Sequence, residues 1–311
     1  MRWILLCLFW PASLVAQGAV DIDMSPALAE AREKWIARDY DGIYDVIRAE
    51  AEAGSPVAQN ILGASLTEKD GSRGLAYDAQ AGFDWYQKAR AQGYARAVFN
   101  LSLFWKDDHA GFGIDYDKAW ARAEEAAELG YAAAYNLMGD MHVHGHGVEV
   151  DNAKALKYYR KSADLGFSGG YREIGYAYFH GRGVDKNIPL MLAHLEQAVI
   201  LGDTKSLPDL AYAYEGNFGV KQDLLKSYLL YQRALDMRIP RAAYELAWFA
   251  EYDGYAGFWH DRVEAYGYCL LAIDWGHKIS DGEIAEECAK IAEGLSDAEQ
   301  TRSRAFGDSF K

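Results

Sequence analysis

The sequence predicts an all-α protein, a right-handed α-solenoid superhelix of stacked antiparallel helix pairs. Three observations predict it. The chain matches itself at a fixed period, apolar residues recur three and four apart within each period, and glycines punctuate the helix ends.

The period comes first. The segments SPVAQNILG, YARAVFNLS, YAAAYNLMG, SGGYREIG, KSLPDLA and RAAYELA align on Leu62, Leu101, Met138, Ile174, Leu210 and Leu246. The spacings are 39, 37, 36, 36 and 36 residues, and 38 more lead to Ile284 in GEIAEECA. We name the helix carrying this position helix A. The second half of each period reads QAGFDWYQKARAQG, DKAWARAEEAAELG, NAKALKYYRKSADLG, NIPLMLAHLEQAVILG, DLLKSYLLYQRALDM and RVEAYGYCLLAIDWG, and forms helix B. Asn187 and Asp223 stand where an N-cap belongs, as does Asp151 or Asn152 in the third unit, because a side-chain oxygen there satisfies free backbone donors. Gly93, Gly130, Gly166 and Gly202 stand where helices end in a left-handed residue. Between A and B runs a glycine loop: GFGI from Gly111, GHGV from Gly145, GRGV from Gly181, with NFGV from Asn217 as a relative. None carries the third glycine of a dinucleotide fingerprint and no strand is expected before any of them, so the loops are read as tight reversals.

These residues resemble the Sel-one-like repeat, a relative of the tetratricopeptide repeat. The pattern of that family is A-x-x-x-L-G, then G-x-G-V, then K-A-x-x-W-Y-x-K-A-A-x-x-G. The third unit follows it closely, from AYNLMG at Ala134 through GHGV to KALKYYRKSADLG, and the resemblance covers about residues 55 to 277. It implies a scaffold that binds protein and does not turn it over. The expected organisation is a signal peptide over residues 1–16, N-terminal opening helices over 17–54, six repeats over 55–277 and capping helices over 278–311. Ser296 with Glu299 reads as a capping box for the closing helix. Divergent ends suit a solenoid, whose terminal repeats must shed apolar stickiness.

Two columns should pack between helices: Trp85, Ala123, Tyr159, Leu195, Tyr231 and Cys269 of helix B, and Leu66, Trp105, His142, Tyr178, Tyr214, Ala250 and Cys288 of helix A. The resemblance implies that helix A lines a concave groove, through Asn60, Phe99, Asn136, Arg172, Pro208 and Tyr244 in one column. The second column is Ala64, Leu103, Asp140, Tyr176, Tyr212 and Trp248. The expected partner-binding residues are Asn136, Asp140, Arg172, Tyr176, Tyr212, Tyr244 and Trp248. Aromatic side chains give large contact area at low entropy cost.

Composition narrows the partners. The 311 residues are 50% hydrophobic and 25% charged, with 22 Tyr, 6 Pro and a net charge of −14, so a large core is expected. Arg2 and the apolar stretch WILLCLFW over residues 3–10 read as a leader, too short to span a bilayer, with cleavage after Ala16 or Gly18; the alternative is an uncleaved anchor. Cleavage after Ala16 takes one Arg from −14, leaving −15, which repels nucleic acid and anionic membranes. The expectation is a periplasmic or secreted monomer that binds a protein or peptide.

Catalytic motifs such as H-E-x-x-H, C-x-x-C and S-x-x-K are missing. His142, His144 and His146, preceded by Asp140, invite a metal reading. His142 belongs to the packed column, however, and the other two fall in or beside the loop, so no metal, cofactor or catalytic residue is expected. The different-class alternative is a cell-wall-associated enzyme or accessory protein, β-lactam or peptidoglycan related, as for some cysteine-rich exported relatives. This chain lacks their paired cysteine in every repeat.

Cys269 and Cys288 lie at equal distance from a turn near Lys278 and Ile279, on antiparallel helices that rise equally per residue. Both face the packed seam, and an exported chain meets an oxidising compartment, so a disulfide is expected. The alternative is two reduced cysteines acting as small hydrophobes.

Overall fold

The structure is a computed structural model that describes residues 24–37, 41–68, 75–108, 111–251, 261–276 and 284–310. The leader expected over residues 1–16 and the turn near Lys278 lie outside the described residues. Among the described residues every regular element is a helix. No helix among them is long and apolar enough to cross a membrane. The chain forms two compact units, Met1–Asn187 and Ile188–Lys311.

The first unit holds α1 (Pro26–Ile36), α2 (Ile43–Glu52), α3 (Pro56–Leu66), α4 (Ala79–Ala91), α5 (Ala95–Lys106), α6 (Tyr116–Glu128), α7 (Ala132–His144), α8 (Asn152–Asp164) and α9 (Ser168–His180). Here α3, α5, α7 and α9 are A helices and α4, α6 and α8 are B helices. Each A packs on the B that follows, and each B on the next A. The second unit holds α10 (Ile188–Ile200), α11 (Ser206–Tyr214), a single turn over Asn217–Gly219, α12 (Leu224–Asp236), α13 (Pro240–Glu251), α14 (Arg262–Asp274), α15 (Ile284–Ala292) and α16 (Asp297–Asp308).

Aspartates start the B helices. Asp78, Asp115, Asp151, Asp223 and Asp261 each accept a backbone N–H from the first turn, at 2.8 to 3.2 Å. Such a cap is worth about 1 kcal/mol. In the third unit the cap is Asp151, not Asn152. A second device recurs with it. The carbonyls of Leu66, Trp105, His142, Tyr178, Tyr214 and Ala250 accept the N–H of Asp78, Asp115, Asp151, Asn187, Asp223 and Asp261, at 2.8 to 3.1 Å. One helix-A column therefore clasps the start of helix B in every unit, through main-chain atoms alone. At the far end of helix B, Gly93, Gly130, Gly166 and Gly202 have φ between 74° and 89°. The following unit puts Arg238 there at φ 52°, a conformation that costs a residue bearing Cβ about 1–2 kcal/mol.

The core follows the predicted helix-B column with one correction, whereas in the helix-A column His142, Ala250 and Cys288 are buried and Leu66, Trp105, Tyr178 and Tyr214 only half-buried. In α4 the buried residue is Tyr86, 5% exposed, and not Trp85, which is half-buried with the Lys88 ammonium 3.5 Å above its ring. Counting back from the terminal glycines, Tyr86 stands before Gly93 as Tyr159 stands before Gly166, so Tyr86 is the true member of the column. A glycine on helix A makes room for each ring. A Cβ at Gly63 would lie 2.8 Å from the Tyr86 ring, and one at Gly139 would lie 2.5 Å from the Tyr159 ring.

The C-terminal helices dock on α14. Cys269 and Cys288 are joined by a disulfide, with Cα atoms 5.6 Å apart, which ties α15 to α14. Arg262 adds a bond from Nη2 to the carbonyl of Ile291 at 2.9 Å. Helix α16 opens with the Ser296–Glu299 capping box and crosses α14 where Gly267 meets Gly307. A Cβ at Gly267 would lie 2.8 Å from the carbonyl oxygen of Ser303.

Candidate functional site

The seven expected binding residues divide between the two units. Asn136 and Asp140 lie on α7 and Arg172 and Tyr176 on α9, in the first. Tyr212 lies on α11, and Tyr244 and Trp248 on α13, in the second. None is fully exposed: Asn136 is buried and the others are half-buried.

In the first unit the site grows from Gly139. Because that residue lacks Cβ, the Tyr159 ring lies flat on helix A and its hydroxyl donates to Asp140 Oδ1 at 2.8 Å. Asn136, one turn earlier, donates through Nδ2 to Asp140 Oδ2 at 3.5 Å. Its own Oδ1 is buried and has no hydrogen-bond partner. Burial pushes the Asp140 carboxyl above the usual range, against the Tyr159 hydrogen bond and the more distant charges of Arg172, His144 and Lys106. Burial and the Asp140 charge push the Tyr159 phenol up in turn. Helices α7 and α9 touch, so their outward residues form one surface. On α9, Arg172 pairs with Glu173 at 3.1 Å. A shallow notch, open to solvent and enclosing only about 10 Å³, room for roughly one water molecule, is lined by Val143, Tyr159, Glu173, Tyr176 and Arg182 among others.

In the second unit the side chains engage one another. Arg241 bonds Asp209 through Nη1 at 2.7 Å and Glu245 through Nε at 3.1 Å, and its guanidinium lies 5.7 Å from the Tyr212 ring centre. The Tyr231 hydroxyl donates to Glu215 at 2.7 Å. Burial raises the carboxyls of both Glu215 and Glu245. Tyr244 meets Trp248 edge to face, ring centres 6.0 Å apart, and donates its hydroxyl to Glu287 at 2.5 Å. Burial and that bond push the Tyr244 phenol up to about 12. Tyr244 thus spans the seam from α13 to α15.

Sequence reasoning placed Tyr159 and Tyr231 only as packing residues. Both also carry a hydroxyl to a helix-A carboxylate. The available signal was the tyrosine itself, whose tip needs a partner when its ring is buried.

His142 sits apart from His144 and His146, whose rings stack with centres 5.4 Å apart. His142 is buried between Trp120 and Tyr158, ring centres 5.4 and 5.6 Å away, with Nδ1 3.1 Å from the Glu149 carbonyl. The His144 Nδ1 lies 2.8 Å from the Asp140 carbonyl, and His146 stacks on Tyr116 at 4.5 Å. Among the described residues no three of His, Cys, Asp and Glu gather as a metal site.

Comparison with known proteins places this architecture. The Sel1 repeat matches residues 56–94, 132–167, 169–203 and 209–238. A Sel1 repeat protein from Oxalobacter formigenes aligns with 79% of this chain and 99% of its own, at 26% identity and a TM-score of 0.65. A protective antigen of uropathogenic Escherichia coli with an SLR fold aligns over 90% of this chain and 59% of its own, at 22% identity and a TM-score of 0.56. An immunity protein from Pseudomonas aeruginosa aligns over 80% of this chain and 82% of its own, at 20% identity and a TM-score of 0.51. Among curated proteins none matches the sequence. Sel1 repeat proteins are generally protein–protein interaction scaffolds and typically non-catalytic. The chain thus carries Sel1 repeats at four positions, and its glycine-punctuated helix pairs form an all-helical fold shared with solved Sel1 repeat structures.

Proposed function

We propose that this chain is an exported scaffold that binds a segment of a partner protein on its helix-A face and does not turn it over. The observation that carries the reading is the continuous surface of α7 and α9, where Asn136, Asp140, Arg172 and Tyr176 sit together half-buried or buried. Core packing does not call for polar groups there. The Tyr244–Trp248 pair supplies the second unit with an aromatic contact surface.

Export is supported by the apolar stretch over residues 3–10 and by a cysteine pair placed for a bridge, which persists in an oxidising compartment. Site-specific photocrosslinking tests the binding face. A benzophenone amino acid at Tyr176 should give a discrete adduct in cells that make the protein, and one at the exposed helix-B residue Lys157 should not. Adducts at Lys157 alone would move the interface to the opposite face. N-terminal sequencing of the secreted or periplasmic fraction tests export.

A further inference from the structure

The α7 cluster holds more acceptor capacity than its donors fill. Asp140 receives one hydroxyl hydrogen, from Tyr159, and one long amide contact, from Asn136. A carboxylate has about four lone-pair sites, so it has capacity left. Asn136 is 8% exposed, and its Oδ1 has no donor. Both hydrogen-bond partners of Asp140 are neutral, and burial outweighs the more distant charges of Arg172, His144 and Lys106, so the ionised form is under-compensated in the free protein. On α9 the Arg172 guanidinium pairs with Glu173, 3.1 Å away. What this spot wants is a cation and an N–H. The whole chain carries −14, a field that draws basic segments from a distance.

Spacing says what form the donor takes. Asn136 and Asp140 are one helical turn apart, a rise of about 6 Å. Two residues of extended chain span about 6.6 Å, and residues two apart point to the same side. An extended strand laid along α7 can therefore set a main-chain N–H on Asn136 and a side chain two residues on against Asp140. The Asn136–Asp140 contact, at 3.5 Å, is long enough to yield to such a competitor.

We propose that Asn136 and Asp140 anchor a basic, extended segment of the partner, Asp140 taking a lysine or arginine side chain and Asn136 turning outward from its long contact with Asp140 so that Oδ1 accepts a main-chain N–H. The inference rests on the scaffold reading above and names the chemistry of its partner.

The probe is a short fluorescent peptide of alternating lysine and alanine, followed by anisotropy, with a glutamate–alanine peptide and spermidine as comparators. The expected result is binding of the lysine peptide, weakened about tenfold or more by Asp140→Asn and less than about twofold by Asp164→Asn, an exposed helix-B change of equal charge. Asp140→Asn keeps an oxygen for the Tyr159 hydroxyl, and circular dichroism verifies its fold. Asn136→Leu should weaken the peptide and leave spermidine competition unchanged. Equal losses in the two aspartate variants, tighter binding of the glutamate peptide, or no binding of the lysine peptide would each overturn the proposal. If Tyr176 crosslinks a partner while the lysine peptide fails to bind, the scaffold reading stands and this inference falls.

Discussion

The contact between Gly139 and Tyr159 can be tested with one methyl group. A Cβ at position 139 would lie 2.5 Å from Cε1 and 2.7 Å from Cδ1 of Tyr159. Carbon atoms rest about 3.5–4.0 Å apart, so the ring must move by about 1 Å. Tyr159 is 4% exposed and packed in the first unit's core, so the move strains its neighbours, at about 1–3 kcal/mol. It also pulls the hydroxyl off Asp140, a charge-assisted bond worth about 1.5–3 kcal/mol. Against these stands about 1 kcal/mol of better helix propensity. Gly139→Ala should therefore destabilise the first unit by about 3 kcal/mol. The chain contains its own comparison: the equivalent position in the second unit is Ala211, on the helix against which α12 and its Tyr231 pack. There the hydroxyl reaches Glu215, four residues beyond the alanine, whereas Asp140 directly follows Gly139. Urea unfolding with hydrogen exchange across α7 and α8 measures the loss. Carbon NMR of the Asp140 carboxyl should show its pKa moving further up, because the Tyr159 bond holds it down. A variant stabilised by about 1 kcal/mol, with Tyr159 still on Asp140, would refute the reasoning.

Asp140→Asn should raise stability at neutral pH by removing a buried charge while keeping an acceptor. Since folding raises the Asp140 pKa, the cost of its ionised form is fully present above the folded value and absent below the unfolded one. The advantage of the variant should therefore shrink as pH falls through that window, as paired melts will show. Replacing Cys269 and Cys288 by serine opens a loop of sequence separation 19, worth about 3 kcal/mol by chain-entropy reasoning. Exchange should rise in α15 and leave α7 unchanged. Gly147 has φ 72°, and a Cβ there would lie 2.8 Å from Tyr116 Cβ. Gly147→Val should thus lower the melting temperature, with an unchanged melt as the contrary result. Trp248→Ala should cost about 2 kcal/mol of partner affinity by calorimetry while leaving helicity intact.

The helix pairs were legible because spacing and composition agree: apolar positions at helical intervals, glycine where the chain turns left-handed, and aspartate at the caps. The misreading of Trp85 shows where this stops. Two adjacent aromatics in DWYQK offer two registers, and the irregular spacing of 39 in that first unit gave no arbitration from helix A. Only counting back from Gly93 selects Tyr86. The acceptor cluster was half legible. Asn136 and Asp140 fell into the expected columns, but the link to Tyr159 depends on how closely two backbones approach at Gly139, which no column reveals. The Arg241 network with Asp209 and Glu245 stayed hidden for a similar reason, since charged residues on helices usually face water.

The carbonyl that greets each B helix has a consequence for what the array tolerates. From clasp to cap the chain runs 12 residues at Leu66–Asp78, 10 at Trp105–Asp115, nine at His142–Asp151, Tyr178–Asn187 and Tyr214–Asp223, and 11 at Ala250–Asp261. The two posts stay put while the span between them stretches. The clasping residue itself is leucine, tryptophan, histidine, tyrosine or alanine, because its side chain takes no part in the bond. Foreign sequence spliced between the posts should thus be carried as a surface appendage, its closure entropy growing only by about 0.6 kcal/mol per doubling of length. Each reversal is, in effect, a docking rail for cargo: a place to hang an epitope, a reporter or a new recognition loop without re-phasing the helices on either side.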